Sequence, residues 1–276
     1  MAKAKKADPQ NLIERAFAGE VPHTDKNVQA AVKAAIAGLD KGELRICTKT
    51  AGGWQTNEWL KKAILLYFRI TKIGPIKAGQ LGFLDKIPVK KWTGKEGVRV
   101  VPHAIVRQGS FVAPGAVLMP SYVNIGAYVG EGSMVDTWAT VGSCAQVGAG
   151  VHISGGVGLG GVLEPVQANP VIIEDHVFLG SRCIVVEGVR VEEGAVIAAG
   201  VTLTSSTKII DVTGAAPKEI KGYVPANSVV IPGTTQKTYP AGTFGVQCAL
   251  IIGKRTESTD RKTSLNQTLR EFDLSV

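Results

Sequence analysis

The sequence predicts a mainly β protein: a parallel β-helix of six-residue repeats, preceded by a small, mainly helical domain and followed by a short strand-and-helix cap. Three observations carry this reading. Aliphatic or aromatic residues recur at every sixth position from Ile105 through Phe111, Val117, Val123, Val129, Val135, Val141, Val147 and Ile153 to Leu159. Four places after each rung before Leu159 stands a small or β-branched residue, from Gly109, Gly115 and Ser121 through Ala127, Ser133, Ala139, Ala145 and Val151 to Val157. Glycine is abundant, 33 of 276 residues, while aromatic residues make up only 6%, as expected where short strands alternate with tight turns.

Residues 1–98 read as the helical domain. Asp8-Pro9 supplies an N-cap and a first helical position ahead of Leu12, Ile13, Ala16 and Phe17. Val28, Val32, Ile36 and Leu39 recur at helical spacing, Leu44 to Cys47 with Gly52-Gly53-Trp54 suggests a hairpin, and Trp59 to Phe68 marks another helix. Residues 99–233 form the repeat region. Its ladder breaks at Gly160 to Pro170, resumes at Ile173, Leu179, Val185, Val191, Ile197, Leu203 and Ile209, and breaks again at Asp211 to Gly222 before Val224 and Val230. Three hexads close one triangular coil, each aliphatic residue points into the prism axis, and successive coils stack about 4.8 Å apart. Residues 234–276 read as a cap, with a strand over Phe244 to Ile252 and a short helix over Leu265 to Phe272.

Composition narrows the function classes. No apolar run approaches the roughly 20 residues of a membrane span, and nothing apolar follows Lys3, Lys5 and Lys6 as in a signal peptide, so the expected location is the cytoplasm. Cys47, Cys144, Cys183 and Cys248 lie far apart, which indicates reduced thiols rather than a disulfide framework or zinc knuckle. The net charge of +8 suits anionic ligands. The basic residues are scattered and not interleaved with aromatics, so no nucleic-acid partner is expected. His23, His103, His152 and His176 lack the spacing of a shared zinc site, so no metal is expected. The threonines form no regular rows of the kind a purely structural or ice-binding β-helix would show.

A prism face is nearly flat, so a binding site needs a second wall. The Gly160 to Pro170 loop, the end segments, or a neighbouring chain around a three-fold axis can supply one, and a homotrimer is therefore expected.

The stretches NEWLKKAILLYFRI (Asn57 to Ile70), EGVRVVP (Glu96 to Pro102), LMPSYVNIGAYV (Leu118 to Val129), MVDTWATVGSCAQVG (Met134 to Gly148) and GGVLEPVQANPVIIED (Gly160 to Asp175) carry more than a repeat. In them the chain resembles the tetrahydrodipicolinate N-succinyltransferases of the hexapeptide-repeat acyltransferase superfamily, over nearly its whole length. The resemblance implies a left-handed helix. It also implies transfer of succinyl from succinyl-CoA to the amine of L-2-amino-6-oxopimelate, in diaminopimelate and lysine biosynthesis.

Residue by residue, the resemblance assigns substrate binding to Asp136 in VDTWAT and to Arg99 before VVP. Alternation places Asp136 outward after the inward Val135, where it is the first candidate for the catalytic group that deprotonates or orients the amine. Arg99 falls at an inward phase where a cation could not sit in a dry core, so an incomplete first coil is expected there. On their own, these residues would read as a turn aspartate and a surface ion pair. The pattern ARSEVVEG of the family reads SRCIVVEG here, with Ile184 in place of a glutamate. That departure leaves Glu187, which equally suits a structural role at a coil edge, as a candidate catalytic carboxylate, and Glu164 on the interrupting loop as a further substrate-binding one. Gly158 and Gly160 offer close approach, or N–H groups, to a CoA thioester, and are equally turn glycines. Lys254, Arg255, Arg261 and Lys262 can meet CoA phosphates or be solvated tail residues. The alternative within the superfamily is an acetyltransferase with His152 or His176 as base.

Overall fold

A computed structural model describes residues 8–78 and 81–256. The expected helix at Leu265 to Phe272, with Arg261 and Lys262, lies outside the described residues.

The N-terminal domain forms as its signals dictate. Helix α1 (Pro9–Phe17) is capped by the Asp8 carboxylate, which accepts from the Gln10 N–H at 3.1 Å. Helix α2 (Lys26–Lys41) is capped likewise by Asp25 and ends at Gly42 in the left-handed region. The hairpin Cys47–Thr50 and Gly53–Thr56 leads into helix α3 (Glu58–Ile70). A second hairpin, Gly74–Ala78 with Leu81–Asp85, was not foreseen from the sequence.

From Arg99 the chain winds into a three-sided prism of two-residue strands, each pairing in parallel with the strand three positions on. The first face stacks Arg99–Val100, Val117–Leu118, Met134–Val135, His152–Ile153, Phe178–Leu179 and Val196–Ile197. The second face stacks Ile105–Val106, Tyr122–Val123, Thr140–Val141, Gly158–Leu159, Ile184–Val185 and Thr202–Leu203. The third runs from Phe111–Val112 to Tyr223–Val224.

The core is the expected ladder with one correction. Val123, Val129, Val135, Val141, Val147, Ile153 and Leu159 fill the axis, but the three rungs before them are Val106, Val112 and Leu118, not Ile105, Phe111 and Val117. Only five residues separate Leu118 from Val123, so one coil is a residue short, and extrapolating the period backward shifts every earlier rung by one. Arg99 follows from the same correction: Val100 takes the inward position and packs on the core, so Arg99 points outward from a complete coil.

At the far end the insertion forms a small hairpin, Ile209–Asp211 with Lys218–Ile220. The strand Ser228–Tyr239 stacks on the first face through Val196↔Val229, and it runs on as a hairpin with Gly242–Lys254. It thus crosses the expected boundary between residues 233 and 234.

The N-terminal domain covers the third face and the edge between the second and third. Arg45 lies over the Tyr128 ring at 3.7 Å and donates to Gln146 at 2.8 Å, while Trp54 Nε1 donates to Glu174 Oε1 at 2.6 Å. Ile125, Cys144 and Ile172 of the prism join the core of the N-terminal domain. The first and second faces are left for other work.

Candidate active site

The edge between the first and second faces carries Asp136. Its Oδ1 accepts from the Thr137 N–H at 2.6 Å and from Thr137 Oγ1 at 3.2 Å. Its Oδ2 lies 3.9 Å from where a side chain would begin at Gly155 on the next coil, which is ordinary contact distance. Two residues on, Trp138 turns the corner at φ 61° and is 75% exposed. Further along the same edge, Arg182 passes over Gly156 and is exposed. Arg99 stands outward on the first face, two coils from Met134, roughly 10 Å along the axis at the usual strand spacing. The Arg99 and Arg182 guanidinium groups have no ion-pair or hydrogen-bond partner among the described residues. Trp138 and Arg182 were missed in the sequence; exposed Trp in VDTWAT was the available signal.

A second group gathers at the edge between the second and third faces. There the Gly160 to Pro170 loop leaves the coil and encloses a pocket of about 560 Å³ lined by Gly160, Gly161, Glu164, Asn169, Glu187 and Gly188. Glu187 is partly committed, since its Oε2 accepts from Ser205 Oγ at 2.6 Å and from the Ser205 N–H at 3.1 Å. Glu164 is exposed and is the more available carboxylate.

The N–H groups of Gly158 and Gly160 are not available to a thioester, a correction to one of their two expected uses. They donate to the Cys183 and Val185 carbonyls at 2.9 and 2.8 Å, as inter-coil bonds must. The contribution of Gly158 is space, because a side chain there would meet nothing within 4 Å. Ile184 is the next residue in that column and is 43% exposed.

Lys254 and Arg255 sit apart from both groups. Lys254 Nζ donates to the Ala226 carbonyl at 2.9 Å, and Arg255 Nη1 to the His176 carbonyl at 2.7 Å, which fastens the final strand to the coil corners. Of the histidines considered as a base, His152 has its ring stacked on Phe178 at 4.9 Å. His176 lies on the edge between the third and first faces, away from both groups. Among the described residues no three His, Cys, Asp or Glu side chains gather to hold a metal ion.

Comparison with known proteins decides the family. A 2,3,4,5-tetrahydropyridine-2,6-dicarboxylate N-succinyltransferase from Erwinia tasmaniensis is 53% identical over 275 residues, covering 96% of this chain and 98% of its own length. The chain belongs to the tetrahydrodipicolinate N-succinyltransferase family. An Acinetobacter baylyi protein of the same name is 52% identical over 94% of this chain and 97% of its own. The family profile described as tetrahydrodipicolinate N-succinyltransferase N-terminal matches residues 8–70, and that of the hexapeptide repeat of succinyl-transferase matches residues 170–205. Among solved structures, an enzyme from Campylobacter jejuni titled as a tetrahydropyridine-carboxylate N-succinyltransferase superposes with a TM-score of 0.57 at 16% identity. The match covers 80% of this chain and 62% of that one and fixes the shared architecture, the left-handed parallel β-helix. In this family member, the profile for the N-terminal part spans α1 to α3, the elements that cover the third face.

Proposed function

We propose that this N-succinyltransferase binds its amine substrate along the Asp136 edge of one protomer and its acyl donor against the Gly158 to Glu164 side of a neighbour, in a homotrimer. The enzyme transfers succinyl from succinyl-CoA to the amino group of L-2-amino-6-oxopimelate, the open form of tetrahydrodipicolinate, in the diaminopimelate route to lysine.

The observation that carries the two-walled site is the separation of its halves. Asp136 and the Glu164 pocket stand on different edges of one prism, a side of six residues apart, which is up to about 20 Å of extended chain. A single amine attacking a single thioester cannot use both within one chain. A three-fold neighbour brings the second edge of one prism beside the first edge of another and gives the exposed Trp138 ring a surface to bury against.

The chemistry assigns each group a task. The free amine nitrogen attacks the thioester carbonyl, the tetrahedral oxyanion collapses, and the C–S bond breaks to leave an amide and the CoA thiolate, which takes up the proton the amine loses. Asp136 Oδ2, left over after Thr137 engages Oδ1, accepts a hydrogen bond from the amine and orients its lone pair. Arg99 and Arg182 hold carboxylates through their paired donors. Glu164 is a further substrate contact, and Glu187 shapes the pocket while it braces Ser205. Gly161 lines the same pocket, and its N–H, with no acceptor among the described residues, is assigned here as a donor for the thioester oxygen. Lys254 and Arg255 serve the fold, fastening the final strand to the coil corners through the Ala226 and His176 carbonyls. No described helix is long and apolar enough to cross a membrane, which supports a cytoplasmic enzyme.

Release of free thiol from succinyl-CoA with the amino-oxopimelate as acceptor tests this reading. Asp136→Asn and Arg99→Ala are each expected to lose at least about tenfold in kcat/KM, the equivalent of ~1.4 kcal/mol of transition-state stabilisation. Wild-type rates in both variants would remove the assignment of this edge.

A further inference from the structure

Lys61 is the most unusual residue of the N-terminal domain. It lies in α3 among Leu60, Ala63, Ile64 and Leu66, and it is completely buried, at 0% exposure. An ammonium group in such a place is costly unless its donors are satisfied. Its Nζ donates to the Ala168 carbonyl at 2.8 Å and to the Pro165 carbonyl at 3.3 Å. Both acceptors belong to the turn of the Gly160 to Pro170 loop, which the Ala168 N–H closes on the Pro165 carbonyl at 3.0 Å.

Two further contacts seat the same loop. Thr56 Oγ1 donates to Asn169 Oδ1 at 3.0 Å. On the prism side, Gly188 sits at φ 73°, and a Cβ there would stand 2.5 Å from the Asn169 carbonyl, so the backbone passes close only because the residue is glycine. The loop is gripped from the N-terminal domain and rests on the corner that follows Glu187.

We infer that Lys61 is a positioning residue for the transferase, holding Pro165 to Ala168 so that Glu164 and the Gly160–Gly161 backbone stand as the wall of the donor pocket. The inference rests on the reading of that pocket as part of the two-walled site. It gives the N-terminal domain a part in the reaction without any of its side chains touching substrate. Burial also pulls the Lys61 pKa below the ordinary lysine value, yet the contacts alone define the role.

The test is Lys61→Met, which keeps the packing volume and removes the donors. It combines steady-state kinetics, thermal unfolding and amide hydrogen exchange over residues 160–170. The expected result is a folded protein whose loop amides exchange faster while α3 stays protected. Its KM for succinyl-CoA rises at least about fivefold and its kcat changes less. Unchanged loop exchange in the folded variant overturns the latch. Faster loop exchange with an unchanged KM also overturns the inference, and locates the error in the reading of the pocket. Should Lys61→Met not fold, exchange on the unmodified enzyme decides. Protection of the Ala168 amide comparable to that of α3 supports the latch, and exchange at open-peptide rates refutes it.

Discussion

Asp136 Oδ2 stands beside Gly155 of the neighbouring coil, where a Cβ would lie 3.9 Å away at ordinary contact distance. Alternation after Val135 was enough to place this aspartate outward from the sequence. Arg99 was assigned an inward phase in an incomplete coil because six steps back from Ile105 land on it, whereas the short coil at Pro120 moves the inward position to Val100 and leaves Arg99 outward. Lys61 was not legible at all. In NEWLKKAILL a lysine reads as a solvated helix face, and its partners are backbone carbonyls more than a hundred residues away, which leave no side-chain signature. The cysteines were legible as buried thiols, and the structure adds their acidity. Burial pushes the Cys144 thiol up to about 12 and the Cys183 thiol up to about 11, and it raises Cys47 and Cys248 as well. At pH 8 the folded enzyme is therefore expected to leave a disulfide reagent such as Ellman's unconsumed, with all four thiols reacting after denaturation. Rapid reaction in the native state would contradict this, and would also add background to a CoA-release assay.

At the scale of elements, the six-residue period made the prism readable, because each rung buries one aliphatic side chain and the axis tolerates nothing polar. What the period could not give was the register of the first coils. Ile105 and Val106 are both aliphatic, as are Val117 and Leu118, so the hydrophobic pattern does not discriminate between them. The difference between inward and outward positions is measurable. Leu179, at 0% exposure in the axis, is expected to cost about 2–5 kcal/mol on truncation to Ala. Ile184, a strand later on the second face, points outward, and its truncation is expected to cost under about 1 kcal/mol. Shifts in the urea midpoint of the two variants check the contrast, and equal losses would mean that the inward column is misassigned. The outward placement of Ile184 also explains why the fold accommodates it where the family pattern has glutamate: the position belongs to the surface of the second face, not to the core.

For the whole molecule, the division of labour follows from which surfaces are covered. The N-terminal domain closes the third face with Arg45, Trp54 and α3, and through Lys61 it reaches the loop at the next edge. The first and second faces stay open, and the two halves of the candidate site lie on the edges at either side of the second face. The need for a second wall was foreseeable from the flatness of a prism, but the division of Asp136 from Glu164 between two edges was not, because it depends on where in each coil the loop departs. Co-expression of two inactive variants tests the shared site most directly. Asp136→Asn removes one wall, and Gly158→Trp obstructs the other at a position where a side chain meets no neighbour in the chain. Each variant alone is expected to form a folded oligomer with at most about a tenth of wild-type activity, while randomly mixed trimers recover about a quarter of it through interfaces that carry both intact walls. Mixed oligomers with no activity above that of the separate variants would contradict a site built between neighbouring protomers.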